Sequence, residues 1–271
     1  MIGIVDIFGG FGNQLFQLSF AKYLSKKNIN TYAYVEKSLI SDEYKKYEQK
    51  RKLILPTEYF GLKTLTSTQL KILKKITINK RVADKFYEIL TEENLLNFDN
   101  LKILTSFNGF WQNMKYINPI FDDVLNCLKK DKEIATALLS EKNNKTMLLV
   151  RRGDFASHGL DLDISFYEQA LMKNDINKGY DIFTDDVEWV KNQILFKKAE
   201  NIFPPSDKKD EVIELFSKMI TYKNFIIGNS TFSFWGALVG STSDSRITTS
   251  KKFGKMLNLQ SSSKFSNLIE I

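Results

Sequence analysis

Two adjacent arginines, Arg151 and Arg152, stand at the end of a short apolar run, TMLLV over 146–150, and lead into Gly153 and Asp154. Neighbours in an extended backbone point to opposite sides. One guanidinium can therefore face a crevice while the other braces an internal acid, with Asp154 the nearest candidate. A guanidinium fork meets phosphate oxygens in pairs, so the chemistry on offer is the holding of a phosphate. The plain alternative is a structural salt bridge beside a solvated arginine. A second apolar run, YDIFT over 180–184, ends in Asp185 and Asp186. A third, NFIIG over 224–228, ends in Asn229, Ser230, Thr231, Phe232 and Ser233, where the pattern turns helical. Backbone N–H groups at a helix start, with hydroxyls nearby, make an anion site; ordinary capping by Ser230 or Thr231 is the alternative.

Other polar groups are less specific. GGFGNQ over 9–14 is not a dinucleotide fingerprint, because GxGxxG would need glycine where Leu15 stands, and it lacks the GK[ST] of a P-loop. Gly10 and Gly12 still permit a tight turn with close ligand approach. Asn13 and Gln14, at the mouth of a helix, can offer amide hydrogen bonds. Asp161 and Asp163 form a D-x-D triplet, a pattern that binds divalent metal in some sugar-nucleotide enzymes, but it follows a loop rather than an evident strand. No Cys/His cluster suggests zinc, so no metal is expected. His158, four residues after Asp154, is either a solvated loop side chain or a base. Trp111, Trp189 and Trp235 read as core or cleft-wall residues.

The elements that must position these groups follow from periodicity. Ile2, Ile4, Val5 and Ile7 make a strand, GGFGNQ a turn, and Leu15/Phe16, Phe20 and Tyr23/Leu24 a helix face. Residues 38–130 alternate Lys-rich helical patterns with short apolar segments, and 129–145 resemble a connection between domains. After Thr146, strands alternate with helices, including a helix face at Val212, Ile213, Phe216, Met219 and Ile220. That alternation implies a parallel sheet. In such sheets ligands bind at the carboxyl ends of strands, so RRGD, TDD and NSTFS should converge on one crevice.

With 43% hydrophobic and 13% aromatic residues, the 271-residue chain can bury a core and is long enough for two domains. Its net charge of +7 suits an anionic ligand, an anionic membrane or nucleic acid alike. The absence of helix-turn-helix, RRM or zinc signatures argues against nucleic acid. The single cysteine, Cys127, sits in an apolar context and excludes an intrachain disulfide, as in a reducing compartment. Neither a signal peptide nor a membrane-spanning run is evident.

Five strings together resemble the bacterial α-1,2-fucosyltransferases, glycosyltransferase family 11. They are GGFGNQLFQLSFAKYL (9–24), FNGFWQNMKYI (107–117), VRRGDF (150–155), FTDDVEW (183–189) and NSTFSFWGA (229–237), in the family's order and spacing. The resemblance implies an α/β chain of GT-B type, two Rossmann-like domains facing across a cleft. Residues 1–143 would be the N-terminal, acceptor-side domain and 144–271 the domain that binds the GDP-sugar. It implies inverting transfer of L-fucose from GDP-fucose to a hydroxyl, such as the 2-hydroxyl of galactose in an O-antigen unit. No metal and no cofactor would be needed. On the matching positions, Arg151 and Arg152 lie at the donor diphosphate and Asp154 orders their loop. Asp185 and Asp186 lie toward the nucleoside, Ser230 to Ser233 near the phosphates, and Asn13 and Gln14 in the cleft from the opposite domain.

One position departs from the family pattern: Leu149 stands where members usually carry histidine two residues before the first arginine. That leaves open another GDP-6-deoxyhexose donor, or a sugar- or nucleotide-binding module without catalysis. For the base that takes the acceptor proton, Asp154, His158, Asp161 and Asp163 all qualify by region. The resemblance also implies a cytoplasmic enzyme, with a lipid-linked acceptor and peripheral contact at the inner membrane face as an option.

Overall fold

Runs of Ile, Val, Leu and Phe alternate with helices along the chain and assemble into two separate parallel sheets. The computed structural model describes residues 1–35, 52–77, 86–94, 98 and 100–271 except 175 and 207. The chain divides into two compact units, Met1–Leu128 and Lys129–Ile271. This division precedes the 143/144 boundary expected from the sequence, and residues 129–145 are not a connection. They hold helix Lys132–Leu139, which packs on helix Lys209–Ile220 of the second unit.

In the first unit, strands β1 (Ile2–Asp6), β2 (Asn30–Tyr34), β3 (Lys63–Leu65), β4 (Tyr87–Leu90) and β5 (Leu104–Phe107) lie in the order β3-β2-β1-β5-β4. Every pairing is parallel. Helix α1 (Phe11–Lys26) buries Leu15, Phe16, Leu18, Phe20, Ala21 and Leu24, an apolar surface too wide for a solvated helix. It ends where Asn28 takes φ 60°. Helix α2 (Ser67–Thr77) packs Leu70 with Ile4, Tyr34, Leu65 and Leu104, and α3 (Met114–Ile117) and α4 (Phe121–Leu128) follow β5.

The second unit begins with α5 (Lys132–Leu139), capped by the Asp131 carboxylate on the Glu133 and Ile134 N–H groups. Its strands are β6 (Asn143–Val150), β7 (Tyr180–Thr184), β8 (Ile202–Phe203), β9 (Tyr222–Gly228), β10 (Ile247–Thr249) and β11 (Leu268–Glu270), in the order β11-β10-β9-β6-β7-β8. All pair in parallel. Parallel strands are covered on both faces, which is why Met147–Val150 and Phe225–Ile227 are continuous buried apolar runs. Its helices after α5 are α6 (Gly153–Ser157), which buries no residue, and α7 (Ile164–Lys173), α8 (Val187–Asn192), α9 (Lys209–Ile220), α10 (Thr231–Gly240) and α11 (Lys251–Leu257), each with buried residues. Gly240 ends α10 against the end of α9, where an added Cβ would lie 2.7 Å from the Ile220 carbonyl oxygen. The α/β class with two Rossmann-like parallel sheets is thus the one expected of a GT-B-type chain.

Among the described residues, each sheet has one place where its strand order reverses. From β1 the first sheet grows outward through β2 and β3 on one side, and β5 and β4 lie on the other. From β6 the second grows through β7 and β8, and on the other side through β9, β10 and β11. Loops leaving the two strands at such a reversal diverge, and the gap between them is where open α/β sheets bind ligands.

Candidate active site

The reversal in the second sheet falls between β6 and β9, the strands that end in RRGD and NSTFS. Arg151 and Arg152 follow β6 and turn to different partners. Arg151 meets Asp154 Oδ1 through Nη2 and Asp185 Oδ2 through Nη1, both at 2.5 Å, and its guanidinium lies 5.1 Å from the Phe155 ring centroid. Arg152 meets Asp161 Oδ2 at 2.6 Å through Nη1 and Asp186 Oδ2 at 3.3 Å through Nε, above the Trp189 ring. Its backbone N–H also donates to Asp185 Oδ1 at 2.7 Å. Asp185 thus clasps both arginines. Gly153 makes room for it, since a Cβ there would lie 2.5 Å from Asp185 Oδ2.

Asp185 and Asp186, which the family resemblance implies lie toward the nucleoside, both engage the arginine loop here. Asp186 also caps α8 by accepting from the Trp189 N–H at 3.1 Å. Asp161 and Asp163 serve the fold separately: Asp161 holds Arg152, and Asp163 caps α7 on the Ser165 N–H at 2.8 Å. That hydrogen bond holds the Asp163 carboxyl below its ordinary range. His158 is exposed at the end of α6, with its backbone N–H on the Phe155 carbonyl at 3.1 Å. Two guanidiniums face four carboxylates here, so an incoming phosphate must compete with carboxylates for them.

The β9 loop joins the same place. Asn229 donates from Nδ2 to the Leu160 carbonyl at 2.7 Å, which ties it to the loop carrying Asp161. Gly228 makes the turn at φ 57°, with Leu162 only 3.2 Å from where a Cβ would stand. Ser230 occupies the N-cap of α10, yet its hydroxyl makes no capping bond. N–H groups at a helix start favour an anion. The buried Ser233 hydroxyl donates inward to the Ile227 and Ser230 carbonyls at 2.8 and 3.1 Å, so its proton is used within the loop. Thr231 and Phe232 are half-buried in the first turn.

Some contributors escaped sequence reasoning. Tyr167 on α7 is buried behind the arginine loop, its hydroxyl against the Arg151 backbone, and burial pushes its pKa up. Of the three tryptophans read as core or cleft-wall residues, Trp189 lies beneath Arg152, and Trp111 and Trp235 are fully buried. Leu149 is buried in β6 beside Phe183 and brings no polar group to the site.

In the first unit the reversal falls between β1 and β5, whose loops are GGFGNQ and NGFWQN. Gly9 takes φ 77°, Gly10 is the N-cap of α1, and Gly12 is buried in its first turn. Asn13 is half-buried and accepts from Gln112 Nε2 at 3.0 Å. Gln14 is not available as expected. It is buried, donates to the Gly9 and Lys52 carbonyls at 2.9 and 3.0 Å, and accepts from the Ile54 N–H at 3.0 Å. Gln17 does similar work, joining the Phe8 N–H to the Gly109 carbonyl. Among the described residues no helix is long and apolar enough to cross a membrane.

The sequence matches the family described as Glycosyl transferase family 11 over residues 6–253. It is 27% identical over 285 residues to the O-antigen biosynthesis glycosyltransferase WbnK of Escherichia coli, covering 90% of this chain and 92% of that one. It is 29% identical over 157 residues to an alpha-1,2-colitosyltransferase of Escherichia coli, covering 51% of this chain and 52% of that one. Among solved structures it resembles the fucosyltransferase NodZ from Bradyrhizobium at a TM-score of 0.44 and 15% identity, covering 88% of this chain and 92% of that one.

Proposed function

The chain belongs to glycosyl transferase family 11 and is a glycosyltransferase, and from that premise we propose that it moves L-fucose from GDP-fucose to a sugar hydroxyl. The acceptor hydroxyl we propose is the 2-hydroxyl of galactose in a glycan such as an O-antigen unit, on the cytoplasmic side. The observation that carries the reading is the pairing of an arginine loop and an uncapped helix start at one sheet reversal.

In the proposed reaction the acceptor oxygen bonds to the anomeric carbon as the bond from that carbon to the GDP oxygen breaks. The electron pair leaves with GDP, the acceptor proton passes to a base of the 154–163 loop, and the configuration inverts. Positive charge develops on the sugar ring and negative charge on the departing diphosphate. In this reading Arg152 and the first-turn N–H groups of α10 meet that negative charge, Arg152 exchanging a carboxylate partner for the phosphate, an effect worth about 3–4 kcal/mol per key donor in comparable sites. No step calls for a metal.

A second reading concerns the donor alone. Buried apolar Leu149 at the family's usual histidine position, together with a colitosyltransferase among the relatives, favours a donor such as GDP-colitose. Incubation with each donor and a galactoside, followed by linkage analysis of the product, decides between them. An α-1,2-fucosyl product supports the first reading, and transfer from GDP-colitose alone supports the second. Donor binding with neither transfer nor hydrolysis would reduce the chain to a sugar-nucleotide binding module.

A further inference from the structure

The loop that carries Gln112 is held in a backbone shape it would not adopt unaided. After β5 the chain runs Asn108-Gly109-Phe110-Trp111-Gln112-Asn113 into α3. Trp111 takes φ 57°, left-handed backbone that bulky residues avoid. It is fully buried and stacked on Phe20, with ring centroids 4.0 Å apart and planes at 4°. A strained residue persists only where its surroundings dictate it, and such residues gather at functional sites.

Glu92, in the segment after β4, meets this backbone. Its Oε1 accepts the Trp111 N–H, and the N–H groups of Phe110 and Gln112 point to the same carboxylate. Three successive amides around one anion form a nest. Gly109 lets the carboxylate in, because a Cβ there would lie 2.9 Å from Glu92 Oε1. Burial pushes the Glu92 carboxyl up, and the three amides and Lys115 pull it back. From the other side Gln17 Nε2 holds the Gly109 carbonyl at 3.0 Å. The loop so fixed delivers Gln112 to Asn13, the pair of half-buried amides at the reversal of the first sheet.

We propose that Glu92 is a positioning residue for the acceptor sugar, acting through the nest to set Gln112 and Asn13 as a paired amide platform for sugar hydroxyls. An amide oxygen carries two lone pairs and an amide nitrogen two hydrogens, so two side-chain amides joined by a hydrogen bond present a polar surface suited to neighbouring hydroxyls. The inference rests on the acceptor-side reading of the first unit.

The test compares wild type with Glu92→Ala and Glu92→Gln in steady-state transfer from the GDP-sugar, with hydrogen exchange at the amides of 110–112. In Glu92→Ala the acceptor KM should rise on the order of tenfold, the exchange of those amides should quicken, and the donor KM should hold. Glu92→Gln, which keeps one acceptor oxygen in place, should recover part of the acceptor KM. If alanine prevents folding, the glutamine variant alone decides, since an acceptor KM equal to wild type with quickened exchange would overturn the role. An unchanged acceptor KM in folded Glu92→Ala would also overturn it, as would equal rises in both KM values. Failure of the wild type to transfer to any galactoside would instead sink the function proposed above.

Discussion

The guanidinium carbon of Arg152 lies 4.2 Å from the centroid of the Trp189 ring. An indole face attracts a cation, and with Asp161 and Asp186 at its edges the guanidinium is held from three directions. Arg151 has a different setting, locked between Asp154 and the largely buried Asp185. Arg152→Ala should lower kcat by about 10²–10³-fold, as for loss of a transition-state donor, and should also cost some stability because Asp161 and Asp186 lose their partner. Arg152→Lys should recover little, since an ammonium cannot form the two-pronged contact. Arg151→Ala should lower stability by about 1–3 kcal/mol, because Asp185 loses an ionic partner but keeps the Arg152 N–H. Turnover and thermal melts of both variants check this, and wild-type values in both would leave the mechanism without its electrostatic source.

The donor site should be read out by heat. GDP at about a hundred times its Kd should stabilise the protein by about 2.7 kcal/mol. UDP and NAD should do far less, as the site is proposed for a guanosine diphosphate sugar. Equal shifts of Tm with UDP would contradict the donor assignment.

Chelation should be harmless. Asp161 is engaged with Arg152 and Asp163 with the start of α7, so neither is arranged as a ligand in waiting. Transfer measured with EDTA should match the untreated rate. Loss that Mg²⁺ or Mn²⁺ restores would give the two aspartates a metal.

A packing test is independent of function. Gly240→Ala would place a methyl 2.7 Å from the Ile220 carbonyl oxygen and 2.8 Å from its Cα, both backbone atoms that cannot swing aside. Overpacking of this kind costs about 1–3 kcal/mol, visible as a lower Tm. An unchanged melt would mean that α9 and α10 separate freely.

The strand ends were the legible part of this molecule. YDIFT is β7 residue for residue, and the apolar runs at 146–150 and 224–228 lie inside β6 and β9. Their polar sequels do converge, because strand-end position depends only on where an apolar run stops. Legibility failed where one residue type can face either way. Gln14 and Asn13 are neighbours at a helix mouth, and only the tertiary fold turns one amide inward to Lys52 and Ile54. Helix α5 looked like a connection because its polar, charged surface hides a small buried face of Ile134 and Ala137. Glu92 follows a four-residue edge strand, and nothing near it in sequence marks its amide partners in residues 110–112.

No strand of the five-stranded sheet pairs with one of the six-stranded sheet among the described residues. A genetic crossover between relatives at Leu128/Lys129 would therefore sever no ladder of either sheet. If donor and acceptor are read on different units, the two specificities are separately heritable. A lineage could then exchange the half that chooses the acceptor while its donor chemistry passed on unaltered.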